Sequence, residues 1–371
     1  MMRIDEHPPQ DLNRVLDQRH LPALDGMRAV AVFTVIAYHA GLGAVPGDLG
    51  VSAFFVLSGF LITWLLLREW HGAGSVSLRR FYVRRTLRIF PAYYAFLAIS
   101  FAVDYVRHDP WPAGLAGAAV GYVVNYYNAL HGHPPTSIAH AWSLGVEEQF
   151  YFLWPTVFLL LARREGRLLL PGVAGLVVVV LLWRSLLFLA GGVGTAYVYN
   201  AFDTRFDNLG VGCLLAICVE RPWFAAVARS VARRTWLPLV TVGLLVWSRM
   251  GVSAAYHYSL GFTVDALLIA VLIVQVLQLY RYALWSWLEH PVARYFGVIS
   301  YPLYLYHQWG IGVGRQAALV PTAFQVFAGV LVSVALASGS YFLIERPFLA
   351  LKRRCEGVAT PAPAVPAVQS A

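Results

Sequence analysis

Residues 24–44 read LDGMRAVAVFTVIAYHAGLGA, a run apolar enough to cross a bilayer that still carries Asp25 and Arg28 near its start and His39 near its end. Arg28 and His39 are eleven positions apart. On a helix, eleven steps of about 100° return to nearly the same azimuth with a rise of about 16 Å, so the two side chains share one face at two levels. Ionisable groups inside a membrane helix cost about 3 kcal/mol each on insertion scales and usually face a protein interior or a cavity. A lone membrane histidine is as often a structural group bonded to a neighbouring helix as a functional one. The rest of the chain weighs between the two.

Composition points the same way. Of 371 residues, 59% are hydrophobic and 13% charged, against about a quarter charged in soluble domains. The chain reads as an all-α, polytopic integral membrane bundle. Among 28 basic residues only Lys352 is a lysine, an arginine bias of genomic rather than functional origin. Cys213, Cys218 and Cys355 form no CxxC and no Cys/His cluster with metal spacing, so neither a disulfide nor a metal is expected.

Residues 1–20 are polar and of mixed charge, and are expected to form a cytoplasmic segment. The first apolar run starts too far in and continues too long for a cleaved signal peptide, so it reads as a retained first helix. Further apolar segments follow at 51–68, 90–106, 112–130, 145–162, 168–190, 206–220, 236–250, 258–280, 297–315 and 323–345. The domain they build is placed at 21–350, and 351–371, Ala/Pro-rich from Gly357, is expected to be a disordered cytoplasmic tail.

Arginine placement sets the expected topology. One set of loops holds Arg79, Arg80, Arg84, Arg85 and Arg88, then Arg163, Arg164 and Arg167, then Arg221, Arg229, Arg233 and Arg234. The opposite loops hold only Arg107, Arg205, Arg249 and Arg315. That asymmetry requires one segment not to cross, and 112–130, rich in Gly, Ala and Tyr, is the weakest. The expectation is therefore about ten transmembrane helices plus a re-entrant segment, with both termini cytoplasmic.

The polar residues then sort by side. SLRRFYVRRTLRIFPAYY, after the second helix, offers the RxxR pair Arg85 and Arg88 with Arg84 and Tyr82 beside it. Guanidinium forks bind phosphates bidentately, although a basic loop beside aromatic residues also reads as a lipid anchor. Towards the outer face stand His39, Glu147 and Glu148 of HAWSLGVEEQFYFLWP, Arg184, Arg205 and Asp207 of TRFDNLGVG, and Asp265, with His307 of ISYPLYLYHQ mid-membrane. Neutralised structural pairs explain single members, and are the favoured reading for Arg184 and Asp265. Together they describe a wet cavity open to the outside. Ser and Gly within FFVLSGFLIT and ISYPLYLYHQ read as close-packing residues. GLGAVPG at 41–47 is a turn, not a dinucleotide fingerprint.

These blocks resemble a known family, the bacterial membrane acyltransferases of family 3, over roughly Leu21 to Phe348. LPALDGMRAVAVFTVIAYHA, GVSAFFVLSGFLIT, FYVRRTLRIFPAYY, HAWSLGVEEQFYFLWP, TRFDNLGVG, ISYPLYLYHQ and ERPF stand in the family's order. GVSAFF departs from the more usual GVDLFF, with Ser52 where the family has an acid. The hydrolase-like domain that some members append is not expected here.

The resemblance implies O-acyl transfer from acyl-CoA, with acetyl-CoA favoured, to a hydroxyl of a glycan, glycolipid or other exported or secondary-metabolite acceptor, at the bacterial cytoplasmic membrane. No permanently bound cofactor and no nucleic-acid partner are expected; acyl-CoA serves as co-substrate. His39 would be the general base, Glu147 would orient its ring, and Arg28 would steer the donor or the oxyanion. Arg85, Arg88, Arg84 and Tyr82 would hold the donor; Arg205, Asp207, Arg184 and His307 would meet the acceptor. A glycan or lipid-carrier transporter is the rival reading, since it also needs a polar cavity and basic loops. It has no need of an RxxR cluster coupled to a single buried histidine.

Overall fold

The computed structural model describes residues 10–18, 21–43, 45–163, 166–316 and 321–356. Most of the expected leader 1–20, and all of the tail from Gly357, lie outside the described residues. Among the described residues every regular element is helical. Five helices are long and apolar enough to cross a membrane by length and composition: Gly47–Ala73, Leu78–Val106, Leu169–Leu189, Ala254–Leu279 and Thr322–Leu351. The chain is a membrane protein.

The principal helices are α1 (Pro22–His39), α2 (Gly47–Ala73), α3 (Leu78–Val106), α4 (Leu115–Val120), α5 (Val124–His131), α6 (Trp142–Ala162), α7 (Leu169–Leu189), α8 (Phe202–Cys218) and α9 (Leu237–Trp247). Then come α10 (Ala254–Leu279, with a π turn at His257–Gly261), α11 (Ser300–Gln316) and α12 (Thr322–Ser340). A second π turn, Tyr341–Glu345, carries α12 into the helix Arg346–Glu356, past the boundary expected at 351. Pro22 opens α1 at a position that needs no amide hydrogen. Gly74, at φ +67, closes α2 by donating its N–H to the Trp70 carbonyl at 2.8 Å.

Helices α1, α6, α8 and α11 fall outside the five spanning candidates. They are also the helices that carry His39, Glu147, Asp207 and His307. Helices α8 and α11 are only 17 residues long, and the polar residues of α1 and α6 lower the hydropathy of those two. Helix α7 shows the converse: it exposes Val178, Val179, Leu182, Leu186 and Leu189, an apolar face suited to lipid. The segment 112–130 forms the two short helices α4 and α5. At 1.5 Å per residue neither approaches the ~30 Å of a bilayer core.

Close helix contacts rest on small residues. A Cβ at Gly59 of α2 would meet the Leu209 backbone of α8, and one at Gly212 of α8 would meet the Val56 backbone of α2. The two helices interlock through these paired glycines, as the small-residue reading of FFVLSGFLIT expects.

Candidate active site

The basic stretch after α2 is not a loop. Ser77 caps α3 by accepting from the Arg80 amide, and the helix runs continuously from Leu78. Helical periodicity then divides the arginines. Arg80 and Arg84, one turn apart, both reach Glu69, at 3.2 and 3.1 Å. Arg85 and Arg88 turn inward to a cavity of about 390 Å³. Two of the expected donor residues stand outside this cavity. The Arg84 guanidinium is taken up by Glu69, and the Tyr82 hydroxyl donates to the Phe152 carbonyl at 2.8 Å on the exposed surface.

This arginine cavity also receives Arg28 from α1, Glu147 and Glu148 from α6, and Glu345 from the second π turn. Arg85 lies 5.3 Å from the Tyr151 ring centroid. The Ser58 hydroxyl donates to Glu147 at 2.7 Å and stands 2.9 Å from the Tyr151 hydroxyl. One hydroxyl has one hydrogen, so Tyr151 must donate to Ser58. Ser58 had read only as a packing residue. Tyr151 lies four residues after Glu147, a spacing that puts the two on the same side of α6.

A second cavity, of about 950 Å³, opens at the other level of α1. His39 lines it together with Asp48, Trp142, Tyr199, Asn200 and Gln308. His133, in the loop after α5, also faces it. Burial holds the His133 pKa below the ordinary histidine value, so at pH 7 it offers hydrogen bonds rather than charge. At the rim Arg249 bridges Asp48, at 2.9 Å, and Asp265, whose other oxygen accepts from Ser248 at 2.7 Å.

Between the two lies a constriction of about 30 Å³, the room of about one water. It shares Arg28, Glu147 and Tyr301 with the arginine cavity, and Val51 and Tyr304 with the histidine cavity. The Tyr304 hydroxyl donates to the His140 carbonyl at 3.0 Å, leaving Ser143 to donate to Tyr304 at 2.6 Å. Arg28 therefore stands at the passage, as a residue steering a donor would, but at the arginine level and not beside His39.

Glu147 and His39, expected to meet, stand apart. Glu147 does not orient His39: it is engaged by Ser58, whereas His39 Nδ1 meets the Val35 carbonyl at 3.0 Å and His307 Nε2 at 3.1 Å. Position along α6 specified the depth of Glu147 but not the helix it faces.

Of the four expected acceptor residues, Arg184, Arg205 and Asp207 line none of these three cavities. Each is fully buried. Arg184 pairs with Asp207 at 2.8 Å and donates to the Ser259 and Thr204 carbonyls and the Thr263 hydroxyl. Thr263 in turn donates to Asp207. The Arg205 guanidinium sits 3.8 Å over the Phe262 ring and donates to Asn208 at 3.1 Å and Ser52 at 3.3 Å. Thus Ser52, where the family more often has an acid, touches this arginine with a neutral hydroxyl. His307 is buried too, behind His39 rather than in the cavity.

Comparisons with known proteins identify relatives of this chain. The family profile described as an acyltransferase domain matches residues 21–342. The peptidoglycan O-acetyltransferase OatA of Listeria monocytogenes is 30% identical over 353 residues, covering 89% of this chain and 56% of that protein. The putative peptidoglycan O-acetyltransferase YrhL of Bacillus subtilis is 31% identical over 353 residues, covering 89% and 55%. A putative O-acetyltransferase of Staphylococcus aureus is 28% identical over 359 residues, covering 89% and 57%. The chain thus spans about half the length of these curated relatives. No solved structure matches it. A profile match over nearly the whole bundle shows that the chain belongs to acyltransferase family 3.

Proposed function

We propose that this protein is a membrane O-acyltransferase that moves an acyl group, with acetyl favoured, from cytoplasmic acyl-CoA to a hydroxyl of a glycan on the far side of the bacterial cytoplasmic membrane. The observation that carries the reading is the stacking of two unlike cavities along α1, one rich in arginine and one lined by His39, with a narrow constriction between them. Polyanionic CoA suits the first, where Arg85 and Arg88 supply charge-assisted contacts. The aromatic and amide side chains of the second suit a sugar. The name of the Listeria relative, a peptidoglycan O-acetyltransferase, favours a cell-envelope polysaccharide as acceptor.

In the proposed reaction the acceptor oxygen forms its bond to the thioester carbonyl carbon while His39 takes the hydroxyl proton. The C–S bond then breaks, and the proton passes from His39 to the leaving sulfur. Arg28, at the passage, is placed to stabilise charge on the donor. Purified protein given acetyl-CoA and a glycan oligosaccharide should yield acetylated oligosaccharide and free thiol in equal amounts. Glycan movement across vesicles with no thiol release would favour a transporter instead.

Arg85→Ala and Arg88→Ala are each expected to raise the acyl-CoA KM about ten-fold or more, from loss of a contact worth about 1.5–3 kcal/mol. Expression should persist, because Arg79, Arg80 and Arg84 remain. Steady-state kinetics with varied donor decides this, and an unchanged KM would reduce the pair to a lipid anchor.

We further infer about ten crossings within 21–350, with both termini cytoplasmic and 112–130 not spanning, from the arginine asymmetry. In a background with Cys213, Cys218 and Cys355 replaced by serine, Thr136→Cys should react with an impermeant maleimide added outside. Glu165→Cys and Val231→Cys should not. Outside labelling at position 165 would overturn this topology.

A further inference from the structure

His307 lies on α11, fully buried, and its two ring nitrogens have different partners. Nδ1 is 2.6 Å from the Tyr304 carbonyl, and Nε2 is 3.1 Å from His39 Nδ1. A carbonyl oxygen can only accept, so in neutral His307 the proton sits on Nδ1 and Nε2 presents a lone pair. His39 Nδ1 therefore faces two acceptors, His307 Nε2 and the Val35 carbonyl at 3.0 Å. Only a protonated Nδ1 satisfies both. The proton of neutral His39 is thus on Nδ1, and the lone pair is on Nε2. Among the described residues His39 Nε2 makes no hydrogen bond to protein, and the side chain lines the larger cavity.

We propose that His307 is a positioning residue that, together with the Val35 carbonyl, fixes the tautomer of His39, so that Nε2 is the basic nitrogen offered to the acceptor hydroxyl. Free histidine in water favours the opposite tautomer, with the proton on Nε2, which could not accept a proton there. The inference rests on the reading of His39 as the base. It gives a neutral imidazole the place that a carboxylate holds in a hydrolase triad: once Nε2 gains the hydroxyl proton, the imidazolium donates from Nδ1 to His307 Nε2 in a charge-assisted bond.

The surroundings hold this geometry. The His140 ring packs edge-on to His307 at 4.8 Å between centroids, and His140 Nε2 donates to the Leu305 carbonyl at 3.1 Å. Gly310, one turn beyond His307, abuts α12 so closely that a Cβ would lie 2.5 Å from the Gly329 carbonyl. That contact fixes the register of α11, and with it the height of the His307 ring against α1.

The test reads the tautomer directly. Protein labelled with ¹⁵N-histidine in nanodiscs would be examined by two-bond ¹H–¹⁵N correlation at neutral pH, with the His39 signals assigned by their loss in His39→Gln. The wild type should show His39 protonated on Nδ1. His307→Leu removes one of the two acceptors and leaves the Val35 carbonyl alone, and should raise the Nε2-protonated fraction of His39, with kcat falling and the acyl-CoA KM unchanged. His307→Gln can accept through its Oε1, and should restore the Nδ1 tautomer and most of the rate. Nε2 protonation in the wild type, or an Nδ1 tautomer unchanged in His307→Leu, would overturn the proposal. The tautomer is measured without turnover, so a wild-type protein with the expected tautomer but no transfer would sink the transferase reading and leave the device standing.

Discussion

His39→Ala is expected to lower acyl transfer 10²- to 10⁴-fold, the range typical of a lost general base. Acyl-CoA binding should barely change, because Arg85 and Arg88 line the other cavity, beyond the constriction. His39→Gln separates catalysis from packing. Glutamine keeps a hydrogen-bonding amide that can donate to the Val35 carbonyl or to His307, yet it cannot take up a proton at neutral pH. A structural histidine would tolerate Gln better than Ala, whereas a base loses activity with either. Transfer by purified, monodisperse protein is measured alongside acyl-CoA affinity. Full activity in His39→Gln would remove the base assignment and shift attention to Glu147 and His307.

The second large effect falls on stability rather than turnover. Arg184→Met leaves Asp207 fully buried without its cation and abandons the Ser259 and Thr204 carbonyls, contacts that tie α7, α8 and α10 together. Breaking one side of a buried ion pair typically costs 3–5 kcal/mol. The expected outcome is a large fall in the melting temperature of the solubilised protein, with donor and acceptor KM unchanged for the fraction that stays folded. An acceptor-binding arginine would give the reverse: a stable variant with a raised acceptor KM. The double variant Arg184→Met/Asp207→Leu should regain part of the stability, because replacing both charges by apolar groups removes the uncompensated carboxylate.

These two experiments divide the polar membrane residues in a way that local sequence did not. Arg184, Asp207 and His39 all read as intramembrane ionisable groups that demand a partner or a cavity. That demand follows from the cost of desolvating charge and needs no coordinates. Which of the two answers holds depends on the neighbouring helices. Arg184 finds Asp207, and His39 finds a cavity on one side and His307 on the other.

Composition, periodicity and the order of the motif blocks pointed to the membrane class, the helical architecture, the family, the shared face of Arg28 and His39, and the weakness of 112–130 as a span. Each follows from the length of apolar runs, the 3.6-residue repeat or the order of motif blocks. The tertiary structure decided the partners. His39 and His307 are 268 residues apart in the chain, and Ser58 reaches Glu147 across 89. It also decided that Arg84 belongs to Glu69 while Arg85, the next residue, belongs to the cavity. Helical periodicity states that adjacent side chains diverge by about 100°. Only packing against α2 and α6 says which of them turns inward, because a single helix has no inside until its neighbours are placed.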